Sequence, residues 1–173
     1  LKQYAHLKDG VQGKGFSAIA PFDPQAREIL SDIIRDTANI FPGPYVHIGM
    51  DETAFGDHPS SAARLKDSAK HELFAEHINW VYDQFQAHGK KVMLWGDHLR
   101  RAGYSNMSDN LDADAISDRI ADLIPRDIII CDWFYRDDVQ DDRMDCFLQS
   151  GFEVLACPAT SSYGMIGHPQ RSN

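Results

Sequence analysis

The spacing of apolar residues along the chain predicts helices and strands in alternation. An apolar set at helical spacing follows Asp23, a candidate N-cap, and Pro24 would occupy the first helical position. A short and largely apolar run at residues 45–50 then predicts a strand that is covered on both faces. A second apolar stripe predicts a helix from residue 62 to residue 88, which Gly89 ends.

The rest of the chain continues this alternation of strands and helices. Strands are predicted at residues 91–95, 128–131 and 152–157, and helices at residues 116–124 and 139–150. Strands that alternate with helices in this way imply a parallel sheet, because the helices form the crossovers between the strands. We therefore predict an α/β fold and a single domain over residues 1–173.

Composition and charge restrict the possible partners. The 173 residues are 43% apolar and 25% charged, which is typical of globular domains, and the net charge of -9 argues against a nucleic-acid partner. We find no apolar run of about 18 residues, so we expect a soluble protein and no membrane partner. The first residues show neither an initiator Met nor a signal pattern, so we interpret the chain as an interior piece of a longer protein whose compartment is unknown.

Three cysteines, Cys131, Cys146 and Cys157, each lie in an apolar run. An odd number in such surroundings favours buried free thiols over a disulfide framework or a zinc cluster.

Polar and aromatic residues follow each predicted strand at the point where it ends. They are Asp51 and Glu52, Trp95 and Asp97, Trp133 and Tyr135, and, after the last strand, Tyr163. The carboxyl ends of parallel strands meet at one edge of a sheet, where α/β proteins build their active sites. Carboxylates beside aromatic rings are typical of a sugar site, because the rings stack on the apolar faces of pyranoses.

The adjacent carboxylates Asp51 and Glu52 raise a geometric question. Neighbouring strand residues point to opposite sides, so the two cannot readily flank one glycosidic bond at the separation of about 5–9 Å that two-carboxylate glycosidases use. We therefore expect different roles: one is a general acid whose pKa is raised by a desolvated cleft and a charged neighbour, and the other orients the substrate.

His47 lies within the first strand, where a core or supporting histidine is more common than a catalyst. With Asp51, Asp97 and His98 it defines an alternative hypothesis, a metal-dependent hydrolase. No HxH or HExxH spacing supports that alternative, so we predict neither a metal nor a cofactor.

Residues 45–53, Tyr-Val-His-Ile-Gly-Met-Asp-Glu-Thr, resemble the His-Ile-Gly-Gly-Asp-Glu signature of glycoside hydrolase family 20, the β-N-acetylhexosaminidases, with Met50 in place of the second Gly. Further similarities follow in chain order. Residues 20–24 open the preceding helix, residues 92–97 resemble a Trp-Asp-Asp or Trp-Asp-Glu strand end, and residues 132–135 resemble Trp-x-Tyr. The resemblance covers essentially the whole chain and is closest to the hexosaminidase D-like branch.

This resemblance implies a (β/α)8 TIM barrel, of which the chain would supply about the second half as roughly four β/α units. It also implies substrate-assisted retaining hydrolysis of terminal N-acetyl-β-hexosaminides. The 2-acetamido group would be the nucleophile, Glu52 the acid and base, and Asp51 the residue that orients the acetamido group.

The same resemblance implies the remaining contacts to the substrate. Trp95 and Trp133 would wall the acetamido pocket, and either Tyr135 or Tyr163 would donate to its carbonyl oxygen. His47 and Asp97 complete the expected substrate-binding set. The implied partners are a glycan containing N-acetylglucosamine or N-acetylgalactosamine and the remainder of the barrel. The alternative is a non-catalytic carbohydrate-binding relative that keeps the barrel.

Overall fold

The computed structural model describes residues 2–12, 17–99, 120–133 and 143–157. Its first part is a 3-10 helix, Lys2–Leu7, followed by a small hairpin. The hairpin strands β1, Lys8–Gly10, and β2, Ser17–Ile19, pair antiparallel. The sequence pattern did not predict this hairpin, because strands of three residues are too short to show a period.

The main sheet has four strands in the order β3-β4-β5-β6, and every neighbouring pair is parallel. Its strands are β3, Tyr45–His47; β4, Lys91–Trp95; β5, Ile129–Asp132; and β6, Glu153–Ala156. The predicted α/β fold with a parallel sheet is therefore confirmed. The first strand is shorter than predicted, because the backbone leaves the extended conformation after Ile48.

The described helices are α1, Pro24–Ile40; α2, Pro59–Arg64; α3, Lys70–Ala87; and α4, Arg143–Gln149; residues 120–123 are also helical. Asp23 caps α1 as predicted, since its Oδ1 accepts the N–H of Ala26 at 3.0 Å. The single helix predicted over residues 62–88 is wrong. A new helix starts at Lys70, where Glu72 accepts the N–H of Ala69 at 2.9 Å and stabilises a second helix N-terminus.

The two faces of the sheet have different surroundings. Alternate residues such as Val92, Leu94 and Ile130 belong to the hydrophobic core, which α3 and α4 cover with Ile78 and Phe147. Each such fully buried side chain contributes about 1.5–3 kcal/mol to stability. The strand residues between them point to the opposite face of the sheet. The predicted site residues follow the carboxyl ends of the strands.

Candidate active site

The acid pair lies in a loop, residues 48–58, that joins β3 to α2; we name it the acid-pair loop. Within it Met50 and Glu52 have positive φ angles of 72° and 40°, after Gly49 at 75°. The expectation that Asp51 and Glu52 alternate as strand residues is therefore wrong, because the backbone here is not extended. Left-handed conformations of non-glycine residues cost about 1–3 kcal/mol and persist where the surroundings hold them.

Hydrogen bonds from the end of β4 hold the acid-pair loop. The N–H of Glu52 donates to Oδ2 of Asp97 at 3.1 Å, and the N–H of Thr53 donates to Nε2 of His98 at 3.3 Å. The N–H of Trp95 donates in turn to the carbonyl of Gly49 at 3.0 Å. The strained backbone around Glu52 is thus fixed by the neighbouring strand end.

Asp97 connects three strand ends. While its Oδ2 accepts from Glu52 beyond β3, its Oδ1 accepts the indole N–H of Trp133 beyond β5 at 3.3 Å. The side chain of Asp97 is only 11% exposed. Both oxygens of the predicted substrate ligand therefore contact protein donors, and a direct contact of Asp97 with substrate stays a prediction.

His47 packs against Trp95, with ring centroids 4.3 Å apart and planes at 53°. Its Nδ1 accepts the N–H of Gly49 at 3.0 Å, so a neutral His47 carries its proton on Nε2. Partial desolvation in this contact lowers the pKa of His47, although the nearby charge of Asp51 opposes the shift. The residue is therefore a neutral support of the loop at pH 7.

The carboxylates of Asp51 and Glu52 are exposed. Asp51 nevertheless lines a cavity of about 400 Å³ together with His47 and Met50, whereas Glu52 is not among its lining residues. The desolvated cleft expected around the general acid therefore stays a prediction. Trp95 and Trp133 lie half-buried beside them at the ends of β4 and β5.

The cysteines follow the prediction in part. Cys131 and Cys146 are buried, as predicted, whereas Cys157 is half-buried because it follows β6. Burial, reinforced by the neighbouring Cys157, raises the pKa of Cys131 to about 12, so this thiol stays protonated.

The structure thus brings six of the predicted site residues to one edge of the sheet: His47, Asp51, Glu52, Trp95, Asp97 and Trp133. Tyr135 and Tyr163 lie outside the described residues. Sequence reasoning missed Asp9, a buried carboxylate in the hairpin that contacts the acid-pair loop. Only its place before a glycine distinguishes it in the sequence, and that pattern indicates a turn rather than a site.

Residues 2–12, 17–99, 120–133 and 143–157 contain no group of three or more His, Cys, Asp or Glu side chains placed to hold a metal ion. None of the helices in these ranges is long and apolar enough to cross a membrane.

Taken together, a parallel α/β sheet with adjacent carboxylates and two indoles at its carboxyl edge defines the kind of site that α/β enzymes use. The sequence model of the glycosyl hydrolase family 20 catalytic domain matches residues 2–173. The chain therefore belongs to glycoside hydrolase family 20.

Named relatives agree with this family. The chain is 33% identical over 76 residues to a β-hexosaminidase of Porphyromonas gingivalis. This match covers 40% of this chain and 10% of the relative. It is also 32% identical over 81 residues to a β-N-acetylhexosaminidase of Cellulomonas fimi. This match covers 47% of this chain and 14% of the relative.

Solved structures show the same fold. A family 20 exo-β-N-acetylglucosaminidase of Vibrio harveyi in complex with N-acetylglucosamine matches with a TM-score of 0.57 at 24% identity, over 82% of this chain and 19% of that chain. A β-N-acetylhexosaminidase of Bacteroides fragilis matches with a TM-score of 0.55 at 17% identity, over 79% and 25%. The chain thus spans a quarter or less of each of these four proteins.

Proposed function

We propose that the protein containing this chain hydrolyses terminal N-acetyl-β-hexosaminides. The observation that carries the proposal is the adjacent pair Asp51 and Glu52, exposed at the carboxyl edge of the sheet beside Trp95 and Trp133 in a family 20 chain. The names of the two relatives, both β-hexosaminidases, support the same substrate class.

Residues 1–173 are proposed to be a single partial domain, about four β/α units of a (β/α)8 barrel. Such barrels need about 250 residues and eight strands. The support is the parallel order of β3, β4, β5 and β6, which ends in an edge strand on each side within the described residues. The remainder of the barrel is then the main protein partner of this chain.

In the proposed mechanism, Glu52 donates a proton to the glycosidic oxygen as the bond to the anomeric carbon breaks. The carbonyl oxygen of the substrate's own 2-acetamido group attacks the anomeric carbon from the opposite face and forms a cyclic oxazolinium intermediate. Glu52, now a carboxylate, takes a proton from water, and that water opens the intermediate with retention of configuration.

Asp51 has a separate role in this mechanism. Its carboxylate accepts a hydrogen bond from the acetamido N–H and stabilises the positive charge that develops there. A nucleophile supplied by the substrate requires no second carboxylate across the glycosidic bond. Adjacent placement of Asp51 and Glu52 therefore suits this chemistry, and neither a metal nor a cofactor is required.

The proposed pocket is built from the aromatic residues at the same edge. Trp95 and Trp133 wall the acetamido group, and Tyr135 or Tyr163 donates to its carbonyl oxygen. His47 and Asp97 complete the substrate-binding set. The substrate is a glycan that ends in N-acetylglucosamine or N-acetylgalactosamine.

The test uses Glu52→Gln and Asp51→Asn in the full protein, with an aryl N-acetyl-β-glucosaminide as substrate. We expect Glu52→Gln to lower kcat by about 10²–10⁴-fold through loss of the acid. Asp51→Asn should lower kcat by about 10²–10³-fold through loss of charge stabilisation.

The matched control is Asp57→Asn, an exposed carboxylate of the same loop. Equal turnover by Glu52→Gln and Asp57→Asn would overturn the proposal. Binding of N-acetylglucosamine by a wild-type protein that hydrolyses no N-acetylhexosaminide would support the carbohydrate-binding alternative instead.

A further inference from the structure

The acid-pair loop has a second anchor, at its far end from Glu52. Asp9 of β1 is 2% exposed and reaches across to this loop. Its Oδ1 accepts the N–H groups of Gly56 and His58, each at 2.9 Å, as well as that of its neighbour Gly10 at 2.8 Å. One carboxylate oxygen therefore binds backbone donors from two segments of the chain.

Neighbouring contacts join the same two segments. The N–H of Asp57 donates to the carbonyl of Gly10 at 3.0 Å, and the ring Nε2 of His58 lies 3.1 Å from the carbonyl oxygen of His6. Gly56 has a φ of 144°, a conformation that L side chains rarely adopt. The loop backbone is therefore closely fitted to the hairpin at this point.

The part of the acid-pair loop between its two anchors has little freedom. Asp97 holds the N–H of Glu52, and Asp9 holds the N–H of Gly56, four residues further along. Ala54 and Phe55, between these anchors, are 0% and 3% exposed. Only Thr53, Ala54 and Phe55 separate the two anchored residues, so the backbone between them is short and packed.

A buried carboxylate such as Asp9 loses its hydration, so its use in a purely structural contact costs free energy. Within the described part of the chain its buried Oδ2 has no hydrogen-bond partner, so the three N–H groups that donate to Oδ1 supply the hydrogen bonds of this carboxylate. Charge-assisted hydrogen bonds are about twice as strong as neutral ones, which makes a carboxylate the firmest available anchor for these amides.

We propose that Asp9 is a positioning residue for Glu52: it fixes the far end of the acid-pair loop so that the Glu52 carboxyl meets the leaving oxygen in a constant orientation. The inference rests on the proposed function and extends it to a residue in the hairpin. Orientation has a large effect on rate, since a misplacement of about 1 Å can cost about 100-fold.

The first test measures Asp9→Ala and Asp9→Asn in the full protein with aryl N-acetyl-β-glucosaminides whose phenol leaving groups differ in pKa. A poor leaving group depends most on the general acid. We expect Asp9→Ala to lower kcat about 100-fold for the poorest leaving group and only a few-fold for the best, with little change in KM. Asp9→Asn keeps an acceptor oxygen and should lower kcat roughly tenfold for the poorest leaving group.

The control is Asp127→Asn. Asp127 also accepts side-chain hydrogen bonds, from Tyr82 at 2.8 Å and Gln86 at 3.3 Å, but it precedes β5 at the opposite edge of the sheet. This variant should show no dependence on the leaving group. If Asp9→Ala and Asp9→Asn lower the rate equally for all leaving groups, the role is merely structural and the proposal is overturned.

The second test combines Asp9→Asn with Glu52→Gln. If Asp9 acts through Glu52, the double variant should be no slower than Glu52→Gln alone; independent, multiplicative losses would contradict the proposal. The two hypotheses fail separately. Unchanged turnover in Glu52→Gln would overturn the proposed function, whereas a slow Glu52→Gln with unaltered Asp9 variants would overturn only the role of Asp9.

Discussion

Asp97 holds Glu52 and Trp133 through its two carboxylate oxygens. In Asp97→Asn one of those oxygens becomes an NH2 group, which would face a backbone or indole donor. We expect kcat to fall by about 10–100-fold, because the general acid loses its orientation, and the free energy of unfolding to fall by about 1–3 kcal/mol.

Steady-state kinetics and urea unfolding of Asp97→Asn check this prediction, with Asp57→Asn as the control. The kinetic constants also separate two roles for Asp97. A rise in KM with unchanged kcat would contradict the anchoring role and leave Asp97 only its proposed place in the substrate-binding set.

At the scale of single residues, strand-end position predicted which residues meet at the carboxyl edge of the sheet but not the backbone geometry there. Asp51, Glu52, Trp95 and Trp133 follow apolar runs that end visibly in the sequence. The positive φ of Glu52 is not visible there, because its backbone partner is 45 residues away. Asp9 was missed for the same reason, as its loop partners lie 47 and 49 residues further along.

At the scale of elements, the turn after β4 passes very close to its neighbours. A Cβ at Gly96 would lie 2.8 Å from Ile130 Cγ2 and 3.0 Å from the ring of Phe147. Gly96→Ala should therefore destabilise the protein by about 1–3 kcal/mol and disturb Trp95 and Asp97 on either side.

The matched control for this prediction is Gly43→Ala, where a Cβ would meet nothing within 4 Å. Thermal unfolding and kcat/KM of both variants provide the measurement. We expect Gly43→Ala to stay close to wild type. Equal stability and activity of the two alanine variants would contradict the close approach of Ile130 and Phe147 to Gly96.

The packing of α3 against α1 half-buries His77 and encloses its Nδ1, and this predicts a dependence of stability on pH. Burial, together with the charge of Arg27, lowers the pKa of His77 to about 4. Between pH 6.5 and 4 the unfolded chain binds a proton that the folded chain does not, so stability falls as pH decreases through this window. The expected loss is about 3 kcal/mol.

Replacing His77 by Leu should remove this part of the pH dependence. Urea unfolding of wild type and His77→Leu at several pH values between 7.5 and 4 measures it, with the exposed His88→Gln as the control. The same slope of unfolding free energy against pH in wild type and His77→Leu would contradict the burial of His77.

The elements themselves were predictable to different degrees. Helix α1 was predicted well because its cap, its proline and its apolar spacing all agree. The break between α2 and α3 was missed because the apolar spacing continues across it, while the second helix start depends on a hydrogen bond from the N–H of Ala69 to the carboxylate of Glu72.

At the scale of the whole molecule, apolar residues are exposed around the edge of β3 that no described strand pairs. Ile33, Ile40, Phe41 and Tyr45 are 55%, 69%, 63% and 53% exposed. Edge strands with apolar surroundings pair readily with other chains. We expect residues 1–173, produced alone, to self-associate as concentration rises.

Light scattering after size-exclusion chromatography measures this association. Substitution of Ile40 and Phe41 by Lys should shift the isolated chain toward the monomer, because charge at an exposed edge opposes pairing. A wild-type chain that stays monomeric at high concentration and unfolds cooperatively would contradict the view that this edge needs a partner.

The parallel arrangement of the sheet was predictable from the sequence, because strands that alternate with helices are joined by crossovers. Closure of a barrel depends on strands beyond those described, so it stays a proposal supported by the family and by the outer positions of β3 and β6 among the described strands.

The most direct measurement compares two substrates with the full protein: an aryl N-acetyl-β-glucosaminide and the matching aryl β-glucoside, which lacks the acetamido group. Substrate-assisted catalysis predicts release of the phenol from the first and essentially none from the second. Cleavage of both at similar rates would contradict the account, because the protein would then have to supply its own nucleophile and the roles given to Asp51 and Glu52 would be wrong.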